Sequence, residues 1–145
     1  MTPETNKRLI KIILADDHKI VRQGVRSLLE FEPDFQIIGE AADGAKAMEL
    51  VFHHEPDILI TDLSMPYFSG IELAEAIQKN KLKTRTVVLS MHSDEPYVIR
   101  AMKAGASCYI LKDYGFEHVC TAIRQALAGR RYVSPSLTMP LEEIS

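Results

Sequence analysis

IKIILADDHKIVRQGVRSLL, residues 10–29, holds the unit from which the whole chain is built. Ile10 to Ala15 is a short apolar run rich in branched residues, and it reads as a buried strand. Ile20, Val21, Val25, Leu28 and Leu29 then recur at helical spacing, and Pro33 marks the end of the helix. Between strand and helix stand two adjacent carboxylates, Asp16 and Asp17.

The same alternation runs to the end of the chain. Gln36 to Ala42 is a second, weaker strand, and Asp43-Gly44 opens a helix carrying Ala47, Leu50 and Val51 on one face before Pro56. Ile58 to Thr61 is the third strand, and the loop Asp62 to Gly70 leads into a helix over Ile71 to Lys79. Thr86 to Met91 is the fourth strand, followed by a helix from Asp94 to Lys103 stopped by Gly105. Ser107 to Lys112 is the fifth strand. Phe116, Val119, Cys120, Ile123 and Leu127 form the last helical stripe, stopped by Gly129. Strict strand–helix alternation implies a parallel sheet covered by helices on both faces, joined by right-handed crossovers. At five units the expected fold is α/β and flavodoxin-like: a doubly wound parallel (βα)5 sheet of order 2-1-3-4-5, in three layers.

The bulk composition agrees and narrows the function. With 145 residues the chain has room for one domain and a tail. Hydrophobic residues make up 46% and charged residues 26%, and the net charge of −3 offers no basic face for nucleic acid. No apolar run reaches the ~20 residues that span a bilayer, and Met1 to Arg8 lacks a signal-peptide core, so a cytoplasmic protein is expected. Cys108 and Cys120 sit in apolar patterns and read as reduced core residues rather than a disulfide or metal pair. The expected organisation is a tail over 1–8, one domain over 9–130, and a linker start or tail over 131–145, where Pro135 and Pro140 fall.

In open α/β sheets the site lies at the carboxyl ends of the strands. Here strand one ends in Asp16-Asp17, strand three in Asp62, strand four in Ser90 and strand five in Lys112. Carboxylates crowded in this way raise one another's pKa unless a cation joins them, and carboxylates with water suit Mg²⁺. Lys112 adds a positive charge suited to an anionic ligand. A metal and a lysine together make sense if a doubly charged phosphoryl group enters the site.

The set Asp16-Asp17, Asp62 with Met65-Pro66 and Gly70, Ser90, Tyr109 and Lys112 resembles the receiver domain of two-component response regulators over residues 9–130. DDH at 16–18, SMH at 90–92, AGASCYILKD at 104–113 and AGRRYVSP at 128–135 resemble its NarL/FixJ subgroup, whose members usually carry a C-terminal helix-turn-helix domain. The resemblance implies that Asp62 accepts a phosphoryl group from a histidine kinase. It implies Mg²⁺ held by Asp17, Asp62 and the Ser64 carbonyl with Asp16 close by, and Lys112 and Ser90 directed at the phosphoryl oxygens. It further implies that Tyr109 acts as an aromatic switch, against the plainer reading of an edge residue that packs and hydrogen-bonds. Phosphorylation would change association, most simply by homodimerisation through the first and last helices. DNA would be bound only through a C-terminal domain that lies outside this chain.

Other readings compete. A flavodoxin needs a phosphate loop where Asp16-Asp17 stand. A phosphatase of the haloacid dehalogenase type wants an acid at position 64, which is Ser. A receiver used only as a scaffold is opposed by the complete set of Asp17, Asp62 and Lys112. His18, His53, His54, His92 and His118 show no ligand spacing and read as solvated or capping residues, while Met48, Met65, Met91 and Met102 read as core filler. One departure is that Asp113, not Pro, follows Lys112, so the cis peptide of many receivers is in question here.

Overall fold

The computed structural model describes residues 8–112 and 116–134. Five helices and six strands follow one another: β1 (Ile10–Ala15), α1 (Lys19–Leu29), β2 (Phe35–Ala41), α2 (Gly44–His54), β3 (Ile58–Asp62), α3 (Gly70–Lys79), β4 (Arg85–Ser90), α4 (Glu95–Lys103), β5 (Cys108–Leu111), α5 (Val119–Leu127) and β6 (Tyr132–Val133). The sheet is parallel throughout, in the order β2-β1-β3-β4-β5-β6.

The flavodoxin-like arrangement read from the sequence is therefore present, with one addition. Tyr132–Val133, in the stretch read as linker, pairs with β5 through Cys108↔Tyr132 and Tyr109↔Val133. Two residues give no readable strand period, so the sequence pattern did not reveal this edge. The peptide after Lys112 leads into Asp113, which lies outside the described residues, as do Gly115, the segment 1–7 and the segment 135–145 with Pro135 and Pro140.

The helices divide by the side chains the strands offer them. Ile12, Leu14, Ile58, Ile60, Val87, Leu89, Cys108 and Ile110 point to one face and pack against Val25 and Leu29 of α1 and Val119 and Ile123 of α5. The alternate residues point the other way. Ile13 and Leu59 meet Ala47 and Val51 of α2 and Leu73 and Ile77 of α3. Val88, Tyr109 and Leu111 meet Val98, Ala101 and Met102 of α4. All five residues of β3 are buried, which explains its unbroken apolar run, whereas edge strand β2 is mostly half-buried and reads more weakly. Truncating a fully buried residue such as Ile123 to Ala would cost about 2–5 kcal/mol.

Three side chains differ from the sequence reading. Ile20, placed on the core stripe of α1, is 83% exposed, because it lies about 100° around the helix from Val21, and the stripe that meets the core runs through Val21, Val25 and Leu29. Met91, read as filler, is exposed just beyond the end of β4. Phe116 packs against the core from ahead of α5, whose regular turns start at Val119.

Candidate functional site

The register of the sheet places the acidic residues side by side. Ala15 pairs with Thr61, so Asp16 and Asp62 lie one residue further on neighbouring strands. Asp62 pairs with Leu89 and Ser90 with Leu111, which puts Ser90 and Lys112 just beyond the same edge. The backbone N–H of Asp16 donates to the Ala41 carbonyl at 3.0 Å, and Arg22 holds the Asp16 carbonyl while itself pairing with Glu40. Arg22 was not singled out from the sequence, where it looks like any exposed helical arginine.

Asp62 opens a loop that other elements hold tightly. The Gly70 N–H donates to the Leu63 carbonyl at 2.9 Å, and a Cβ at Gly70 would stand 2.4 Å from the Asp62 carbonyl oxygen. The Pro66 carbonyl accepts from Gly44 at the start of α2, at 2.9 Å. Ser69 and Glu72 close the far end with a reciprocal capping pair at 3.1 and 3.0 Å. Pro66 and Gly70 thus shape the loop, as expected. Tyr67, between them, adopts a φ of 73° with its side chain 78% exposed.

Lys112 stands at the centre. Its Nζ lies 2.8 Å from Asp16 Oδ2 and 3.1 Å from Asp62 Oδ2, with each of the three side chains at least nine-tenths buried. Burial alone would lower the lysine pKa, but the two carboxylates outweigh it and raise it. Burial raises the Asp62 pKa, Lys112 pulls it back, Asp16 pushes it up further, and the Ser64 backbone N–H lowers it. One ammonium shared by two carboxylates leaves the cluster short of positive charge.

Asp17 is at the rim and more open. His18, read as solvated or capping, is mostly exposed, and its Nδ1 lies 3.1 Å from Asp16 Oδ1 and 3.2 Å from Asp17 Oδ1. It occupies the N-cap position of α1 but makes no side-chain cap bond. The signal for it was its place directly after the two aspartates. One donor atom from each of Asp16, Asp17, His18 and Asp62 can be chosen so that all lie within 4.8 Å of one another. Around an ion at about 2.1 Å, cis ligands are about 3 Å apart and trans ligands about 4.2 Å, so the spacing suits one small cation. The buried Asp16 Oδ2 has the Lys112 ammonium at 2.8 Å as its ion-pair partner, and that ammonium is shared with Asp62. Three clustered carboxylates that share one ammonium fit a hard divalent ion. Receiver domains bind Mg²⁺ at an acidic pocket of this kind.

Ser90 and Tyr109 meet through one backbone unit. The His92 N–H donates to Ser90 Oγ at 2.9 Å, and the Tyr109 hydroxyl donates to the His92 carbonyl at 2.8 Å. Tyr109 is wholly buried against α4, contrary to the reading as an edge residue, and burial pushes its pKa up to about 12. The His92 ring stacks on Tyr97 of α4 with centroids 4.3 Å apart, so the loop after β4 is tied to that helix. Among the described residues no helix is long and apolar enough to cross a membrane.

Comparison with known proteins gives a consistent answer. The response regulator receiver domain matches residues 12–124. The transcriptional regulatory protein DegU of Brevibacillus brevis is 34% identical over 138 residues, which cover 95% of this chain and 58% of DegU. The nitrate/nitrite response regulator protein NarL of Escherichia coli K12 is 37% identical over 134 residues, covering 92% and 62%. A two-component response regulator of the LuxR family from Aurantimonas sp. SI85-9A1 superposes with a TM-score of 0.85 at 36% identity, over 93% of this chain and 96% of that one. The chain spans about three fifths of the length of these two curated relatives.

Proposed function

The chain belongs to the response regulator receiver domain family, and on that premise we propose that it is a phosphorylation switch with Asp62 as its acceptor. The observation that carries this reading is the buried Asp62 carboxylate, 3.1 Å from Lys112 and clustered with Asp16 and Asp17 at the carboxyl edge of the sheet.

The chemistry follows from the side chains. An Asp62 oxygen attacks phosphorus, the bond from phosphorus to the donor's imidazole nitrogen breaks, and an aspartyl phosphate remains. Burial makes the carboxylate more basic and so a stronger nucleophile when ionised, and Lys112 holds it in that form. Asp16, Asp17, Asp62 and the Ser64 carbonyl would hold Mg²⁺, which when bound would supply charge balance for the phosphoryl oxygens. Lys112 turns from the carboxylates to a phosphoryl oxygen as the negative charge grows. Ser90 Oγ accepts from the His92 N–H and lies within hydrogen-bond reach of the Tyr109 hydroxyl, and its O–H turns to the phosphoryl group when one is present. When Ser90 moves, the His92 unit that also receives Tyr109 moves with it, and α4 feels the change through Tyr97. A switch of this kind acts only if its two states differ in affinity for a partner.

The phosphodonor is a sensor histidine kinase, and the output is homodimerisation. α1 and α5 share one face of the sheet, where Ile20, Phe31 and Leu127 are exposed apolar residues available to a second copy. The relatives' greater length favours control of transcription through a further DNA-binding domain, in the cytoplasm. The test is incubation with acetyl phosphate and Mg²⁺. Wild type should gain one phosphoryl mass, and both Asp62→Asn and an EDTA-treated sample should not. Equal gain by Asp62→Asn would overturn the reading. Light scattering of the phosphorylated chain should show a larger mass than the unmodified chain, and an unchanged mass at all concentrations would remove dimerisation.

A further inference from the structure

We propose that His18 is a direct ligand in this site and biases it from Mg²⁺ toward borderline first-row ions such as Mn²⁺. The inference rests on the reading of the carboxylate cluster as a metal centre. The carrying observation is the placement of His18 Nδ1, which lies 3.1 Å from an Asp16 oxygen and 3.2 Å from an Asp17 oxygen although the side chain is 65% exposed.

An exposed imidazole on a helix N-cap has water on most sides. This one points its nitrogen into the cluster, and the backbone adds to the hold. The His18 N–H donates to Asp16 Oδ1 at 2.8 Å, fixing the Cα of His18 beside that carboxylate. Its side chain caps nothing in α1, so helix capping does not account for its orientation. The ring nitrogen fits within the same 4.8 Å set as one oxygen from each of Asp16, Asp17 and Asp62. A second observation points to a cation: the buried Asp16 and Asp62 share the single Lys112 ammonium, at 2.8 and 3.1 Å, so with Asp17 three carboxylates meet around one positive charge.

Ligand chemistry gives the direction of the preference. Three carboxylates form an all-oxygen set that suits Mg²⁺, which also keeps its waters and accepts nitrogen poorly. Imidazole raises affinity along the first-row series and does little for Mg²⁺. A set with one nitrogen and three carboxylates therefore favours Mn²⁺ over Mg²⁺ by more than the carboxylates would alone. The selectivity belongs to His18, whereas the presence of a site belongs to the aspartates.

The experiment uses the whole chain, its His18→Ala variant and its His18→Asn variant, which keeps a capping side chain. Binding of MnCl2 is read by the loss of the free-ion electron resonance signal, and binding of MgCl2 by competition against it. The ratio of the Mg²⁺ to the Mn²⁺ dissociation constant should fall by about tenfold or more in both variants, the scale on which lost metal-site interactions act. A smaller fall overturns the proposal. With 15N-labelled histidine and 113Cd²⁺, one His18 ring nitrogen should show scalar coupling to cadmium in the wild type. A shifted ratio without coupling would make His18 a partner of the aspartates and overturn its role as ligand. If the wild type binds neither Mn²⁺ nor Mg²⁺, the metal-centre reading itself fails. If Mg²⁺ binding is intact and the ratio is unmoved, only the role of His18 fails.

Discussion

Replacing Lys112 by Met removes the one ammonium that stands between two buried carboxylates. At an effective dielectric of about 20, contacts of 2.8 and 3.1 Å correspond to attractions of about 6 and about 5 kcal/mol before desolvation. With their donor oxygens within 4.8 Å, Asp16 and Asp62 repel by at least about 3 kcal/mol on the same scale. The desolvation of all three groups offsets much of this, and breaking a buried pair by removing one partner costs about 3–5 kcal/mol. The variant should therefore lose about that much stability at pH 8 in EDTA. A proton can take the place of the lysine, so the deficit should depend on pH. In the variant a carboxylate's folded pKa rises above its unfolded value of about 4. Such a group contributes stability that is present below the unfolded value and lost as pH rises through the folded one, so the deficit should be small near pH 4 and grow upward. Saturating Mg²⁺ should restore part of it, because a ligand that binds only the folded state stabilises that state. Urea unfolding followed by circular dichroism at pH 5 and pH 8, with and without Mg²⁺, reads all three effects. A deficit below about 1 kcal/mol, equal at both pH values, would place the pair among solvated surface ion pairs and refute the reasoning.

Two further outcomes follow from the same geometry. Asp62→Asn should gain stability over wild type in EDTA as pH rises from 4 to 7. The folded pKa of Asp62 lies above its usual 3.8, chiefly through burial, so wild type loses stability over that rise while the amide does not titrate. Paired urea titrations across the range check it, and a gap that stays constant or closes would contradict it. Tyr67→Gly should stabilise the chain by about 1 kcal/mol, because the left-handed φ of 73° suits glycine and the exposed ring packs little; thermal unfolding would show a lower midpoint if the ring were holding the loop instead.

The sheet was legible because its strands are buried on both faces and therefore carry unbroken apolar runs, as in Ile58 to Thr61. The acidic site was legible because strand ends are fixed by those runs and Asp16, Asp17, Asp62, Ser90 and Lys112 follow them directly. Other features were hidden for particular reasons. β6 is two residues long, too short to carry a period. Ile20 stands beside Val21 in the first turn of α1, but Val21 takes the core-facing position and Ile20, about 100° further round, faces outward. His18 is solvated as read, at 65% exposure, but its contacts with Asp16 and Asp17 went unnoticed because ligand spacing was sought across separate elements, whereas these partners are its own two preceding neighbours. The hydrogen bonds that join Ser90 and Tyr109 pass through the His92 backbone, and a backbone contact leaves no trace in residue type.

If Asp62 is the acceptor, phosphate is carried on that residue and on no other. An acyl phosphate on aspartate is reduced by borohydride to homoserine, which marks the modified position permanently. The phosphorylated chain should therefore be reduced, digested and mapped by peptide mass spectrometry. Homoserine should appear at position 62 alone; homoserine at another aspartate, or a phosphoryl group that survives borohydride, would rule out Asp62 as the sole acceptor.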